Sequence, residues 1–184
     1  MLMDKISKTL CFDEPGSKNT DSVVWAVSDK IDETGIKTVI VASTTGKTAV
    51  EFGKSLRNKA RLIAVSWKKV SAENTKELKN LEVTICNFEN YLPLHEVGKD
   101  LIRNTFYTFG QGMKVCAEVV LIAVDKGLIS AGQDVIAVGG TGGGSDTAVV
   151  VKATSTVDML GPDMQKRLEV REIFAMPAKK KWWR

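Results

Sequence analysis

Ser43-Thr44-Thr45-Gly46-Lys47-Thr48 gathers hydroxyls, a glycine and a lysine at the end of a β-branched run, Thr38 to Ala42. A helical pattern begins at once after it. The chemistry such a segment offers is anion binding. Amides at a helix start have no intrahelical acceptor, and the helix dipole favours negative charge there. Gly46 permits close backbone approach, Ser43, Thr44, Thr45 and Thr48 can donate from their hydroxyls, and Lys47 adds a mobile cation. An ordinary capped turn favours the same residue types, so the segment alone leaves both readings open. A Walker A loop is excluded, because it requires a glycine five positions before Gly46 and the chain has Val41 there.

A second glycine-rich stretch, Gly139-Gly140-Thr141-Gly142-Gly143-Gly144-Ser145-Asp146, comes close to a dinucleotide fingerprint. Its final glycine position holds Ser145, and the β-branched run Thr147 to Thr156 follows where a helix is required. That pattern reads instead as a hairpin between antiparallel strands. Lys114 and Glu118 stand one turn apart in the apolar segment 113–128, a spacing that suits either a structural ion pair or an acid/base pair.

The elements that must position these groups alternate. The pattern predicts a short edge strand over 8–12, a helix over 20–34 capped by Asn19 or Thr20, and a strand over 37–43. A helix over 47–59, a strand over 61–67, a polar helix near 73–80 and a strand over 82–88 follow. Segment 89–111, aromatic-rich with Phe88, Tyr91, Phe106, Tyr107 and Phe109, reads as irregular. Beyond it come the buried helix, a strand over 134–139, the run from Thr147, and a last strand near 168–176. Alternation of this kind implies right-handed crossovers and a parallel sheet covered on both faces. Every helix start then lies at the edge where the parallel strands end. Asn19, Thr20, the Ser43–Thr48 loop, Gly110–Lys114 and Gly139–Asp146 are thus expected on one edge, where open α/β sheets bind ligands. Trp67, at the end of its strand, is expected near that edge as a stacking surface or as a packed core residue.

Composition narrows the function classes. Of 26 basic residues, Lys179, Lys180, Lys181 and Arg184 lie in the tail, leaving 22 basic against 22 acidic residues in the body. A neutral body does not suit nucleic-acid binding. No apolar run approaches the roughly 20 residues of a membrane span, and the first residues lack the apolar core of a signal peptide, so the expected compartment is the cytoplasm. Cys11, Cys86 and Cys116, with the single His95, show no metal-ligand spacing and read as buried free thiols. One domain over 1–177, followed by a flexible basic and aromatic tail over 178–184, is expected. Open sheet edges make a homo-oligomer plausible.

Val39-Ile40-Val41-Ala42-Ser43-Thr44-Thr45-Gly46-Lys47-Thr48-Ala49, followed by Ala60-Arg61-Leu62-Ile63-Ala64-Val65-Ser66, resembles the C-terminal α/β domain of pyruvate kinase. Further stretches extend the resemblance to small stand-alone proteins of that fold, mainly archaeal. They are Pro15-Gly16 with Asn19-Thr20, Phe109-Gly110-Gln111-Gly112-Met113-Lys114-Val115-Cys116, Ala137-Val138-Gly139-Gly140 with Asp146-Thr147-Ala148-Val149-Val150, and Glu172-Ile173-Phe174-Ala175-Met176-Pro177. The resemblance implies a three-layer α/β/α sandwich with a mostly parallel sheet of order 3-2-1-4-5 and an antiparallel last strand. It also implies a phosphate-bearing ligand, flavin mononucleotide (FMN) first among them. The implied contacts are Asn19, Thr20, Ser43 to Thr48, Trp67, Gly110 to Lys114, Gly139 to Gly142, Asp146 and Thr147. Pyruvate kinase chemistry belongs to a barrel domain with no counterpart in this sequence, so that activity is not expected. The Trp-Arg pair that holds a sugar bisphosphate in regulated pyruvate kinases is replaced by Gly140-Thr141-Gly142. Two other functions fit the residues: an enzyme acting on a small phosphorylated metabolite through Lys114 and Glu118, or a ligand-sensing assembly module without chemistry.

Overall fold

A computed structural model of the chain describes residues 6–89, 93–94 and 99–182. Tyr91, His95, Trp183 and Arg184 lie outside the described residues. Among the described residues seven strands form one sheet: β1 (Leu10–Phe12), β2 (Thr38–Ala42), β3 (Arg61–Ser66), β4 (Thr84–Asn87), β5 (Asp134–Gly139), β6 (Thr147–Lys152) and β7 (Glu169–Pro177). The helices are α1 (Thr20–Thr34), α2 (Lys47–Leu56), α3 (Ala72–Asn80), α4 (Asp100–Tyr107) and α5 (Gln111–Asp125). The sheet order is β1-β7-β6-β5-β2-β3-β4. Counting from β2 to β6, this is the expected 3-2-1-4-5, and β6 runs against the other strands. β7 and the parallel β1 extend the sheet beyond the antiparallel strand.

Strand alternation divides the core into two layers. Val39, Val41, Leu62, Ala64, Ile136 and Val138 face α1, α2 and α3, burying Val23, Val27, Phe52 and Leu78. Ile40, Ile63, Val65, Val135 and Ala137 face the other way, against Cys116, Val119, Val120 and Ala123 of α5. The side-chain period of two makes both faces of the central strands apolar, as a sheet covered on each side requires.

Several boundaries differ from the sequence reading. α2 stops at Leu56 because Asn58 turns left-handed (φ 67°), and β4 starts late because Glu82 does the same (φ 58°). Residues 100–107, read as irregular, form α4. Only Ile102 and Phe106 of α4 pack inward, too short an apolar repeat to show as a period. Cys86 and Cys116 are buried as expected, whereas Cys11, on the edge strand β1, is exposed. The main chain of the tail is engaged through Lys181: the amides of Ala178 and Lys179 donate to Phe12 and Asp13, and Lys181 O accepts from Gln111.

α5 starts hard against the sheet. A Cβ on Gly139 would lie 2.2 Å from the carbonyl oxygen of Gly112. A Cβ on Gly112 would lie 2.1 Å from Thr147 Oγ1 and 2.6 Å from Asp146 Oδ1. Overpacking of a tight site is destabilising, so Gly112→Ala is expected to lower stability by about 2–3 kcal/mol. The check is a fall in the urea midpoint at unchanged m-value; an unchanged midpoint would contradict this packing.

Candidate functional site

Parallel β2 has β3 on one side and β5 on the other, so the loops leaving β2 and β5 rise side by side where the connections diverge. That is the crevice at which open α/β sheets place ligands. The loop from β2, Ser43 to Gly46, opens α2. Gly46 is its N-cap with φ 90°, a left-handed conformation that suits glycine, and an added Cβ would meet Val70 Cγ1 at 2.6 Å. Ser43 is buried, and its Oγ accepts the Ala49 amide at 3.0 Å, so this hydroxyl braces the loop from within. Ser66 Oγ and Asn74 Nδ2 donate to the carbonyls of Thr44 and Thr45, both at 2.8 Å. The amides of Gly46 and Lys47 make long internal contacts of 3.4 Å, to Ser43 O and Thr45 Oγ1. The amides of Thr44, Thr45 and Thr48 have no acceptor among the described residues. Lys47 is exposed beside them and Thr48 is buried.

Trp67, half exposed, donates from Nε1 to Thr44 Oγ1 at 2.8 Å, and the Lys68 ammonium lies 4.2 Å from its ring centre. Of the two readings of this tryptophan, the structure places it at the edge beside the loop rather than in the core.

The loop after β5 is held by the turn before α1, by Thr20 of α1 and by its neighbour on β6. Asp146 is fully buried; its carboxylate accepts the Gly16 amide at 2.9 Å and the Thr147 hydroxyl at 2.8 Å. Thr20 Oγ1 donates to Ser17 O at 2.7 Å and accepts the Ser145 amide at 3.0 Å. Asn19 Nδ2 donates to Glu14 O at 2.9 Å. Neither side chain caps α1, contrary to the sequence reading, because a 3-10 turn over Ser17–Asn19 precedes the helix and diverts both. Thr141 is buried, Gly140 half-buried and Gly142 exposed. Met113 packs into the core beneath the site.

Two residues that the sequence reading did not count among the ligand contacts, Gly16 and Ser145, belong to this cluster. Their part depends on contacts across more than a hundred residues, which no local pattern announces. The Gln111 Oε1 and Ser145 Oγ atoms are buried without a hydrogen-bond partner among the described residues. Over the start of α5, the Lys180 side chain passes 3.4 Å from the Cβ position of Gly110. Burial holds its ammonium below the usual lysine range.

Lys114 and Glu118 form a buried ion pair at 2.8 Å, with the Lys114 ammonium 5.8 Å from the Tyr107 ring of α4. Burial pushes the Glu118 carboxyl up, against the opposing pull of Lys114 and Arg103. The Cys116 thiol is also pushed up, by burial first and then by the Asp146 charge, so it stays protonated and unreactive. Among the described residues no group of three or more His, Cys, Asp or Glu is placed to hold a metal, and no helix is long and apolar enough to cross a membrane.

The chain belongs to the pyruvate kinase alpha/beta domain family, which it matches over residues 21–151. Among solved structures it is similar to pyruvate kinase from Cryptosporidium parvum, at 19% identity and TM-score 0.43 over 73% of this chain and 22% of that one. The same enzyme in complex with ADP matches at 20% identity and TM-score 0.43, over 73% of this chain and 23% of that one. An O-ureido-L-serine synthase matches at 15% identity and TM-score 0.33, over 58% of this chain and 38% of that one. The chain thus spans about a fifth of the length of the pyruvate kinases it matches.

Two outcomes test this geometry. Asp146→Ala leaves the Gly16 amide and Thr147 hydroxyl without their acceptor, and is expected to cost about 2–4 kcal/mol, with Asp146→Asn milder. Urea denaturation checks the order. Glu118, raised in the folded state, binds its proton more tightly there than when unfolded. Its contribution to stability is therefore present below the ordinary carboxylate range and declines as pH rises through it towards the folded value. Glu118→Gln should remove that decline from the stability–pH curve; a curve of unchanged shape would contradict it.

Proposed function

We propose that this chain binds a phosphate-bearing small molecule at the crevice between the β2 and β5 loops, with FMN the leading ligand. The observation that carries this reading is the set of unaccepted amides at Thr44, Thr45 and Thr48, beside the exposed Lys47, at the start of α2. A phosphate there would meet main-chain donors, the helix dipole and a lysine together.

The residues suit the flavin on two further counts. Trp67, just past the end of β3, offers an aromatic surface beside the Ser43–Gly46 loop, and the buried Gln111 and Ser145 oxygens lack partners that a polar ligand edge could supply. If FMN binds, it would supply redox chemistry, while this chain would grip the phosphate and orient the ring. No reaction step is assigned to Lys114 and Glu118, which face α4 as a buried pair. Pyruvate kinase activity is not part of the proposal, since the family match covers the alpha/beta domain alone.

Titration of FMN and of riboflavin, followed by quenching of flavin fluorescence, tests the reading. A charge-assisted phosphate contact should favour FMN by at least about tenfold. Lys47→Ala, at an exposed position, should remove most of that preference without altering the melting temperature. Equal affinity for the two flavins, or binding of neither, would overturn the FMN assignment; failure of inorganic phosphate to compete with bound FMN would overturn the phosphate site.

A further inference from the structure

A second cavity lies at the opposite edge of the sheet, where β2, β3 and β4 begin. It is a half-open hollow of about 430 Å³. Its floor is apolar, formed by Gly53 and Leu56 of α2, Leu62 of β3, and Leu81 and Val83 ahead of β4. Its rim is cationic: Lys37, Arg57, Lys59 and Arg61, against the single carboxylate of Glu82. Lys59 is committed elsewhere, its ammonium 2.9 Å from both Ser28 Oγ and Asp32 Oδ2. Lys37, Arg57 and Arg61 are exposed and make no ion pair among the described residues.

The backbone sets this rim. The Arg61 amide donates to Lys37 O at 2.7 Å, which brings the starts of β2 and β3 together. Asn58 and Glu82, both rim residues, are the non-glycine residues with left-handed backbone among those described. Such a conformation disfavours L side chains and persists where the surroundings impose it. Helix C-termini attract cations and account for Arg57, which follows α2. They do not account for Arg61, which opens β3 beyond the Lys59-Ala60 turn.

We propose that this cavity is a second ligand site, selective for a small anion with an apolar body, such as an aryl or branched-alkyl phosphate or carboxylate. The floor disfavours a bare hydrated anion, which would gain nothing by covering it, and the unpaired cations disfavour a neutral hydrocarbon. The volume lies within the range of small-molecule pockets. The site shares no residue with the crevice at the other edge.

Amide chemical-shift mapping of the full chain with 1-naphthyl phosphate as the probe tests the proposal, with 1-naphthol and inorganic phosphate as comparisons. Saturable shifts at Gly53, Arg57 to Leu62 and Leu81 to Val83 are expected with 1-naphthyl phosphate, and at least about tenfold weaker binding with either comparison. Arg57→Gln with Arg61→Gln, both on exposed side chains, should weaken the probe by a similar factor while the spectrum keeps its dispersion. Shifts confined to Thr44–Thr48, equal binding of 1-naphthol, or unchanged affinity in the double variant would each overturn it. The Thr44–Thr48 amides report on the other crevice in the same spectra, so the two sites stand or fall separately.

Discussion

A carboxylate with no exposed surface, Asp146, is the contact on which the C-terminal edge depends. Its two oxygens take a hydrogen bond from the turn before α1 and another from its neighbour on β6. Taking a charge out of water costs several kcal/mol, and strong hydrogen bonds must offset that. The offset holds only if the start of α5, the Gly16 turn and the β5–β6 loop meet in one place. Gly112 and Gly139 satisfy that condition, because a methyl group at Gly112 would collide with the Thr147 and Asp146 side chains and one at Gly139 with the Gly112 carbonyl. The loop facing the crevice is therefore fastened from three directions before any ligand arrives. A ligand meeting so fixed a loop loses less freedom on binding than one that must order it.

The same close packing explains what the sequence could and could not show. The alternating architecture was legible because long β-branched runs alternate with amphipathic helices, which implies a parallel sheet covered on both faces, whereas the strand order came from the family resemblance. The loop at Gly46 was legible because its residue types and its place at a helix start agree. The role of the other glycines was not. A glycine required for backbone contact and a glycine required for ligand approach look alike in one chain, and Gly112 and Gly139 are of the first kind. Asn19 and Thr20 were read as caps because their types favour caps, yet their side chains serve Glu14, Ser17 and Ser145. Glu14 and Ser17 are near in the chain and come within reach through the 3-10 turn, whereas the Ser145 amide, 125 residues away, lies in no window of neighbouring residues. The Lys114–Glu118 pair was legible from spacing, but the α4 surface that buries it was not, since α4 carries too little apolar repeat to be seen.

Charge distribution follows from the same topology. A body with equal numbers of acids and bases is neutral only on average, and parallel strands collect the residues at their starts on one edge and those at their ends on the other. At the C-terminal edge the polar groups are mostly uncharged donors: hydroxyls, main-chain amides and the Trp67 indole, with Lys47 as the exposed cation of the loop. At the opposite edge Lys37, Arg57 and Arg61 face an apolar floor. The first arrangement suits an oxyanion held mainly by directional hydrogen bonds, whose strength depends on geometry and little on salt. The second relies on exposed cations, whose pull falls as ionic strength rises. Because Arg61 and Lys37 are neighbours through the β2–β3 register, neither edge can be altered by sliding a strand without disturbing the other. One sheet therefore ties two chemically different surfaces to a single register. Substitutions in the core strands should reach both, whereas substitutions in either set of loops should reach one.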